Sequence, residues 1–375
     1  MNLPIDVYQI ILSCGDFLTQ IRLRCVNKIF HERLEIHDFT NINDKYSELL
    51  SDDILRAYPF IKLLNASDND RITNINYLMK LEELNAEGTC GIGNKGLSNL
   101  NLIKLNASQN CSITDVNHMT KLKILDAWGH KCGIDDKGIF KLNLIELNVN
   151  DNSKITDLNH MTNLEILFAS YECGIADDSI STLNLKVLHV EHNRNITKVN
   201  HMTNLERLFI DSNDCVIGDK EISNLNLVEL SAGGNPRITN VNHMTRLKIL
   251  NASCACGISD PGIVALNLIE LNANYNAKIT NVDHMNKLEI LYAGGDCGIS
   301  VSNLNLKKLY AHNNSTITDV NHMTKLEFLN ACNVCGIDNA GIQNLNLQEL
   351  YAAGNPKITN VDHMSKLRKL TAELI

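Results

Sequence analysis

The fold class this sequence predicts is a solenoid of stacked α/β turns whose strands run parallel, and three observations carry the prediction. A short apolar pattern returns nearly letter for letter: Leu144-x-x-Leu147-x-Val149-x-x-Asn152-x-x-Ile155 in one copy, then Leu164-x-x-Leu167-x-Ala169 with Cys173 and Ile175 in the next. Copies begin at residues 61, 81, 102, 122, 144, 164, 185, 205, 227, 247, 268, 288, 306, 326, 347 and 367, which makes sixteen rungs. The spacings alternate between 20 and 21 or 22, so the true unit is a pair of about 41 residues. A chain of this kind grows by stacking neighbours rather than by enlarging one core.

The L-x-x-L-x-L pattern followed by Asn is the leucine-rich-repeat signature. It predicts a horseshoe over residues 61–375, with about sixteen parallel strands on the concave face. In each strand the leucines point inward and the residues between them point to the opposite face, as Ile166, Phe168 and Ser170 do in one rung. Ile155, Leu158, Met161 and Leu164 step inward at threes, which leaves Asn159 and His160 on the convex side. One spacing is short: 288 to 306 is 18, because CGISVSNLNL drops three residues from CGISDPGIVALNL. A tighter convex turn is expected there.

Ahead of the repeats, residues 1–40 predict a small all-α segment. Leu3-Pro4 suits a helix start, Val7, Ile10 and Ile11 mark an apolar face, and Gly15-Asp16 breaks it. A second periodic segment places Phe17, Leu18, Ile21, Val26, Ile29 and Phe30 inward. So short a piece cannot bury a core of its own, so it packs on a partner or on the solenoid end. Residues 41–60 predict a linker and cap helix, with Tyr46, Leu49, Leu50, Ile54 and Leu55 as an apolar stripe and Pro59 as its end.

Leu3-Pro4, Ile10-Ile11 and Leu23-Arg24-x-Val26-Asn27-Lys28-x-Phe30, followed directly by leucine-rich repeats, resemble an F-box. The repeated C-G-I-x-D-x-G-I, as in Cys132 to Ile139, resembles the cysteine-containing repeats of F-box proteins. The resemblance implies a substrate-recruiting subunit of a Skp–cullin–F-box ubiquitin ligase, in which Leu3, Pro4, Ile10, Leu23, Val26 and Phe30 would face the Skp adaptor and the repeats would hold a protein target. The compact SCGDF segment and the absence of a tryptophan after Phe30 depart from the family pattern. The other reading is a ligase-independent interaction scaffold whose N-terminal helices only cap the first rung. The Asn-, Ile- and Lys-rich repeats also resemble those of large DNA viruses of amoebae, which would place the protein in host cytoplasm.

Composition narrows the classes further. The net charge is −9, from 34 basic and 43 acidic residues with no basic block, so a nucleic-acid partner is not expected. No apolar run reaches the ~18 residues of a membrane span, and no basic region precedes the first apolar stretch as in a signal peptide. Twelve cysteines and unshielded N-x-S/T sequons, among them Asn65 and Asn314, fit a cytoplasmic protein with free thiols.

Two ladders imitate chemistry. Cys90, Cys132, Cys173, Cys215, Cys256, Cys297 and Cys335 recur on alternate rungs, as do His118, His160, His201, His243, His284, His322 and His363. Rungs stack ~4.8 Å apart, so members of either ladder stand roughly 10 Å from one another. That exceeds disulfide reach and cannot share one zinc ion. Neither a metal nor a cofactor is expected, no nucleophile–base pattern is found, and the reading is not an enzyme. Asn69, Asn110, Asn152, Asn193, Asn235, Asn276, Asn314 and Asn355 occupy the other rungs, where their amides can pair buried backbone groups. On the concave face the early rungs carry a polar run from Asn65 to Asn148. Later rungs carry two aromatic clusters, one of Phe168, His189 and Phe209 and the other of Tyr292, Tyr310, Phe328 and Tyr351, and the lone Trp128 also falls on this face. These residues are the expected protein-binding surface, the alternative being same-face packing that stiffens the sheet.

Overall fold

The computed structural model describes residues 4–13, 15–42 and 44–371. They form two compact units, one reaching to Leu183 and one starting at Asn184. In the first, strand β1 (Asp38–Phe39) pairs in parallel with β2 (Leu63–Asn65), and each later strand pairs with the one before it up to β7 (Ile166–Phe168). The second repeats this ladder from β8 (Val187–His189) to β17 (Lys369–Thr371). This is the predicted leucine-rich-repeat solenoid, and β2 to β17 supply a strand for every rung.

Each repeat strand is three residues long because only the x-Leu-x centre of the pattern can alternate before the chain turns. Leu147 is fully buried at the centre of its strand, while Glu146 and Asn148 are half-exposed on the sheet's other face. Val149 continues the core and Asp151 then takes a left-handed φ of 54°, which turns the chain off the sheet. At the matching place in other rungs Gly88, Gly129 and Gly234 remove the Cβ penalty of that conformation. Beyond the turn Ile155, Leu158 and Met161 are fully buried and Leu164 nearly so, with Met161 N–H donating to Leu158 O and Leu164 N–H to Met161 O. Three-residue closure is what makes every third side chain face inward. Ser170 departs from the sequence reading: it is buried, with its N–H donating to Asn150 Oδ1, because the strand has already ended at Phe168.

The N-terminal segment contains α1 (Ile5–Ser13), α2 (Phe17–Arg24) and α3 (Lys28–Arg33). Asp16 caps α2 by accepting from Thr19 N–H, and Asn27 caps α3 by accepting from Phe30 N–H. Strand β1 was not foreseen: two residues carry no periodicity, and their place in the sheet is set by pairing with the first rung. The linker stripe is corrected too. It folds as α4 (Asp44–Ser47) and α5 (Asp52–Leu55), which bury Leu50 and Leu55 but leave Tyr46, Leu49 and Ile54 exposed. Two four-residue turns cannot present all five residues to one side. The shortened rung keeps only a turn at residues 302–303, where other even rungs carry one-turn helices such as Asp136–Ile139, Asp260–Ile263 and Asn339–Ile342.

Candidate interaction surfaces

Three kinds of side-chain column emerge from this stacking, and two of them are structural. Asn110, Asn152, Asn235, Asn276, Asn314 and Asn355 are buried, and each side-chain amide donates to two carbonyls of the preceding rung. Asn276 is representative, with Ala252 O at 2.7 Å and Ile258 O at 3.1 Å, while its Oδ1 accepts from Lys278 N–H at 3.0 Å. Asn69 donates instead to Ser47 O and Leu50 O, which ties the linker to the first rung. Unpaired, those carbonyls would carry a desolvation penalty.

The histidines have a similar task on the other side. Nε2 of His118, His160, His243, His284, His322 and His363 lies 2.9–3.4 Å from a carbonyl 21 residues earlier. For His160, His284 and His363 that carbonyl ends a one-turn helix, at Ile139, Ile263 and Ile342. A ring that donates Nε2–H to a helix end satisfies an orphan acceptor. The ladder cysteines are buried and free. Burial pushes the thiols of Cys90, Cys132, Cys215, Cys256 and Cys297 up to about 11, away from the thiolate that metal binding or nucleophilic attack requires. Among the described residues no group of three or more ligating side chains could hold a metal ion.

The sheet face is the third column. In the first unit Asn85, Asn106, Asp126 and Asn148 each accept from the N–H two residues on, which ends their strands. They also join sideways, Asn148 Nδ2 donating to Asp126 Oδ2 and Ser108 Oγ to Asp126 Oδ1. Trp128, two residues past its strand, is half-buried, and Phe168 ends the last strand of this unit. In the second unit His189 and Phe209 stack flat at 3.9 Å. Tyr292 and Tyr310, paired in register, stack at 4.2 Å and 12°. Phe328 stands one sheet position earlier in its strand, yet it touches Tyr310 at 4.6 Å and Tyr351 at 5.3 Å. Lys369 Nζ lies 5.0 Å above the Tyr351 ring. Burial pushes the Tyr292 hydroxyl up to about 12, with Tyr310 and Glu270 adding to the shift. The rings are thus half-buried against each other and present one continuous edge rather than separate anchors.

The N-terminal helices show two faces. One packs: Leu12, Leu34, Ile36 and Phe39 are buried, and Phe39 meets Phe17 at 5.0 Å and Tyr58 at 5.1 Å. Gln9 clamps the following segment by donating to Glu35 O and accepting from Glu35 N–H. The other face is apolar and open. Ile10 is 64% exposed, Val26 65% and Ile29 60%, with Ile11 and Leu18 also exposed. This corrects the inward placement of Leu18, Val26 and Ile29, since the helices are too short to enclose a second layer. Of the residues read as facing an adaptor, Pro4, Ile10 and Val26 are open, Leu23 and Phe30 are half-buried, and Leu3 lies outside the described residues. Phe30 is partly covered by Tyr8 at 4.5 Å. Helical period revealed that these residues are apolar but not which side the rest of the chain would cover.

No protein-family model matches the chain, and no curated protein matches it in sequence. Among solved structures it is similar to the TLR13–ssRNA13 complex, with a TM-score of 0.51 and 20% identity over 90% of this chain and 55% of that one. The chain therefore spans about half the length of that relative. It is similar at lower TM-scores to two others. The functional domain of InlJ from Listeria monocytogenes, described as including a cysteine ladder, gives 0.41 at 19% identity over 85% and 64% of the two chains. The yeast Rad7–Elc1 complex gives 0.43 at 16% over 99% and 92%. At 20% identity, the likeness to TLR13 shows the leucine-rich-repeat fold. Among the described residues no helix is long and apolar enough to cross a membrane.

Proposed function

We propose that this chain is a non-catalytic protein-binding adaptor, the substrate-recruiting subunit of a Skp–cullin–F-box type ubiquitin ligase. The observation that carries the reading is the open apolar face of the N-terminal helices. Ile10, Ile11, Leu18, Val26 and Ile29 are exposed within twenty residues of one another, on α1, α2, α3 and the α2–α3 connection, while Leu12 is buried and Phe17 packs on Phe39. Exposed apolar patches of this kind mark protein contact sites. The sheet face then holds the target, with Tyr292, Tyr310, Phe328 and Tyr351 as one contact edge and His189 with Phe209 as another. Trp128 and Phe168 belong to the same reading in the first unit.

The test is co-purification of the full chain with a Skp adaptor, beside Ile10→Asp, Val26→Asp and Ile29→Asp variants. Removing residues 1–40 is the poorer comparison, because it also strips Leu34, Ile36 and Phe39 from the core and β1 from the sheet. Capture by the native chain, weakened at least ten-fold in the variants, is expected. Equal capture by all four, or by none, rejects the ligase role. The second reading, a ligase-independent scaffold, is favoured by the buried face: Phe39 and its ring neighbours do what an N-terminal cap must do. Under either reading, changing Tyr292, Tyr310 and Tyr351 to Ala should reduce target capture.

A further inference from the structure

A recurring contact links neighbouring rungs on the turn side of the solenoid. Asp260 begins a one-turn helix and reaches to the next rung: Oδ1 accepts from Thr280 N–H at 2.7 Å and Asn281 N–H at 3.1 Å, and Oδ2 from Thr280 Oγ1 at 2.6 Å. Asp136 seats itself identically on Thr156 and Asp157, and Asp219 on Thr239 and Asn240. Asp52 of α5 does so on Thr73 and Asn74. Asn94 and Asn339 substitute a carboxamide on Thr114 and Thr359, with the hydroxyl accepting instead. A carboxylate between two backbone N–H groups and a hydroxyl makes charge-assisted bonds.

The shortened rung breaks the series. His284 Nε2 meets Ile263 O and His322 Nε2 meets Val301 O, so Val301 is the counterpart of Ile263. The three residues missing between Ser300 and Val301 are therefore those that match Asp260, Pro261 and Gly262. Thr318 is the counterpart of Thr280. Its neighbours are satisfied, Ile317 N–H by Asn314 Oδ1 and Val320 N–H by Gly341 O. The N–H groups of Thr318 and Asp319 and the Thr318 hydroxyl have no hydrogen-bond partner among the described residues. They border a cleft of about 410 Å³ walled by Ser300, Val301, Ser302, Thr316 and His322.

We propose that this cleft seats a carboxylate presented by a partner protein, an aspartate or glutamate side chain on an extended segment. The three donors are those that hold Asp260, Asp136 and Asp219 elsewhere, and the cleft exceeds one carboxylate, which leaves space for the segment carrying it. The split of two N–H donors on one oxygen and a hydroxyl on the other suits a planar group. Asp319 does not bar an anion. Asp157 carries the same charge at the same place, with Oδ1 held by Asn159 as Asp319 Oδ1 is by Asn321, and Asp136 still binds beside it. The seat is independent of the ligase reading.

The experiment uses the full chain labelled with ¹⁵N-threonine and titrated with acetate and with N-acetyl-aspartate methylamide. The expected result is a saturable downfield shift of the Thr318 amide with both compounds, while Thr156, Thr239 and Thr280 stay fixed. Thr318→Val, followed in the same way through an Asp319 ¹⁵N label, should weaken the response roughly five-fold. Inserting Asp-Pro-Gly between Ser300 and Val301 rebuilds the neighbouring rung's own sequence and should abolish the response. A silent Thr318, an equal response at Thr280, or an unchanged response in the insertion variant overturns the seat. A response to acetate without one to the aspartyl compound overturns the side-chain source.

Discussion

In the rungs, Ile155, Leu158 and Met161 are fully buried; in the N-terminal helical segment, Ile10, Val26 and Ile29 are each more than half exposed. The residue types are the same and the outcomes opposite. A rung lies between two neighbours: Asn and His side chains meet carbonyls of the turn before, and Asp side chains meet N–H groups of the turn after. The helices pack on one side only, against the segment that follows them and Tyr58, and the rest has nothing in the described chain to cover it. Repetition closes a surface, and its interruption leaves one open.

The contrast can be broken most decisively with alkali. The thiols of Cys90, Cys132, Cys215, Cys256 and Cys297 are raised from 9.0 to about 11 by burial, so the fold favours their neutral form. The stability they contribute is complete below about pH 9 and is lost as pH climbs through 9 to 11, because the unfolded chain then releases protons first. Guanidinium unfolding midpoints should hold steady from pH 7 to 8.5 and fall steeply above 9. At pH 8 a thiol reagent should modify exposed Cys25 at once and spare Cys132, and equal rates would refute the distinction. Next in size is paired truncation. Leu147→Ala should cost about 3 kcal/mol, whereas Ile10→Ala should stay within roughly 0.5 kcal/mol, both read from urea denaturation. A large loss at Ile10 would mean its face is already covered. Smaller again, Asn235→Ala should cost about 2 kcal/mol by stranding the carbonyls of Ile210 and Ile217. Asn27→Ala removes only the α3 cap, at about 1 kcal/mol, and hydrogen exchange should confine that loss to α3.

The sequence was most legible where it repeats. Leu144, Leu147 and Val149 could be placed because sixteen copies vote on one register, and the Cys and His columns fell to rung spacing alone. What it concealed depends on contacts between unlike segments. Strand β1 is too short for a period, and Ser170 needed the strand's end to be known. The outward turn of Val26 and Ile29 depends on which face of the helices the following segment occupies. The task of the histidines was hidden for a related reason: they answer helix-end carbonyls 21 residues away. The aromatic edge was legible as a set of residues but not as a stack, since ring contacts between neighbouring strands follow from register.

The buried asparagines also limit how such a chain can change length. Each one donates backwards, into carbonyls of a cysteine-bearing rung, and no rung of that kind has an asparagine to donate in turn. Copying a cysteine rung alone, or losing an asparagine rung, would set two cysteine rungs side by side and strand a pair of buried acceptors at the seam. Changes of a whole pair avoid this: the array can gain or lose about 41 residues with every such contact kept. The phase is set at the front, where Asn69 finds Ser47 and Leu50 in the linker offering the carbonyls that a cysteine rung would offer.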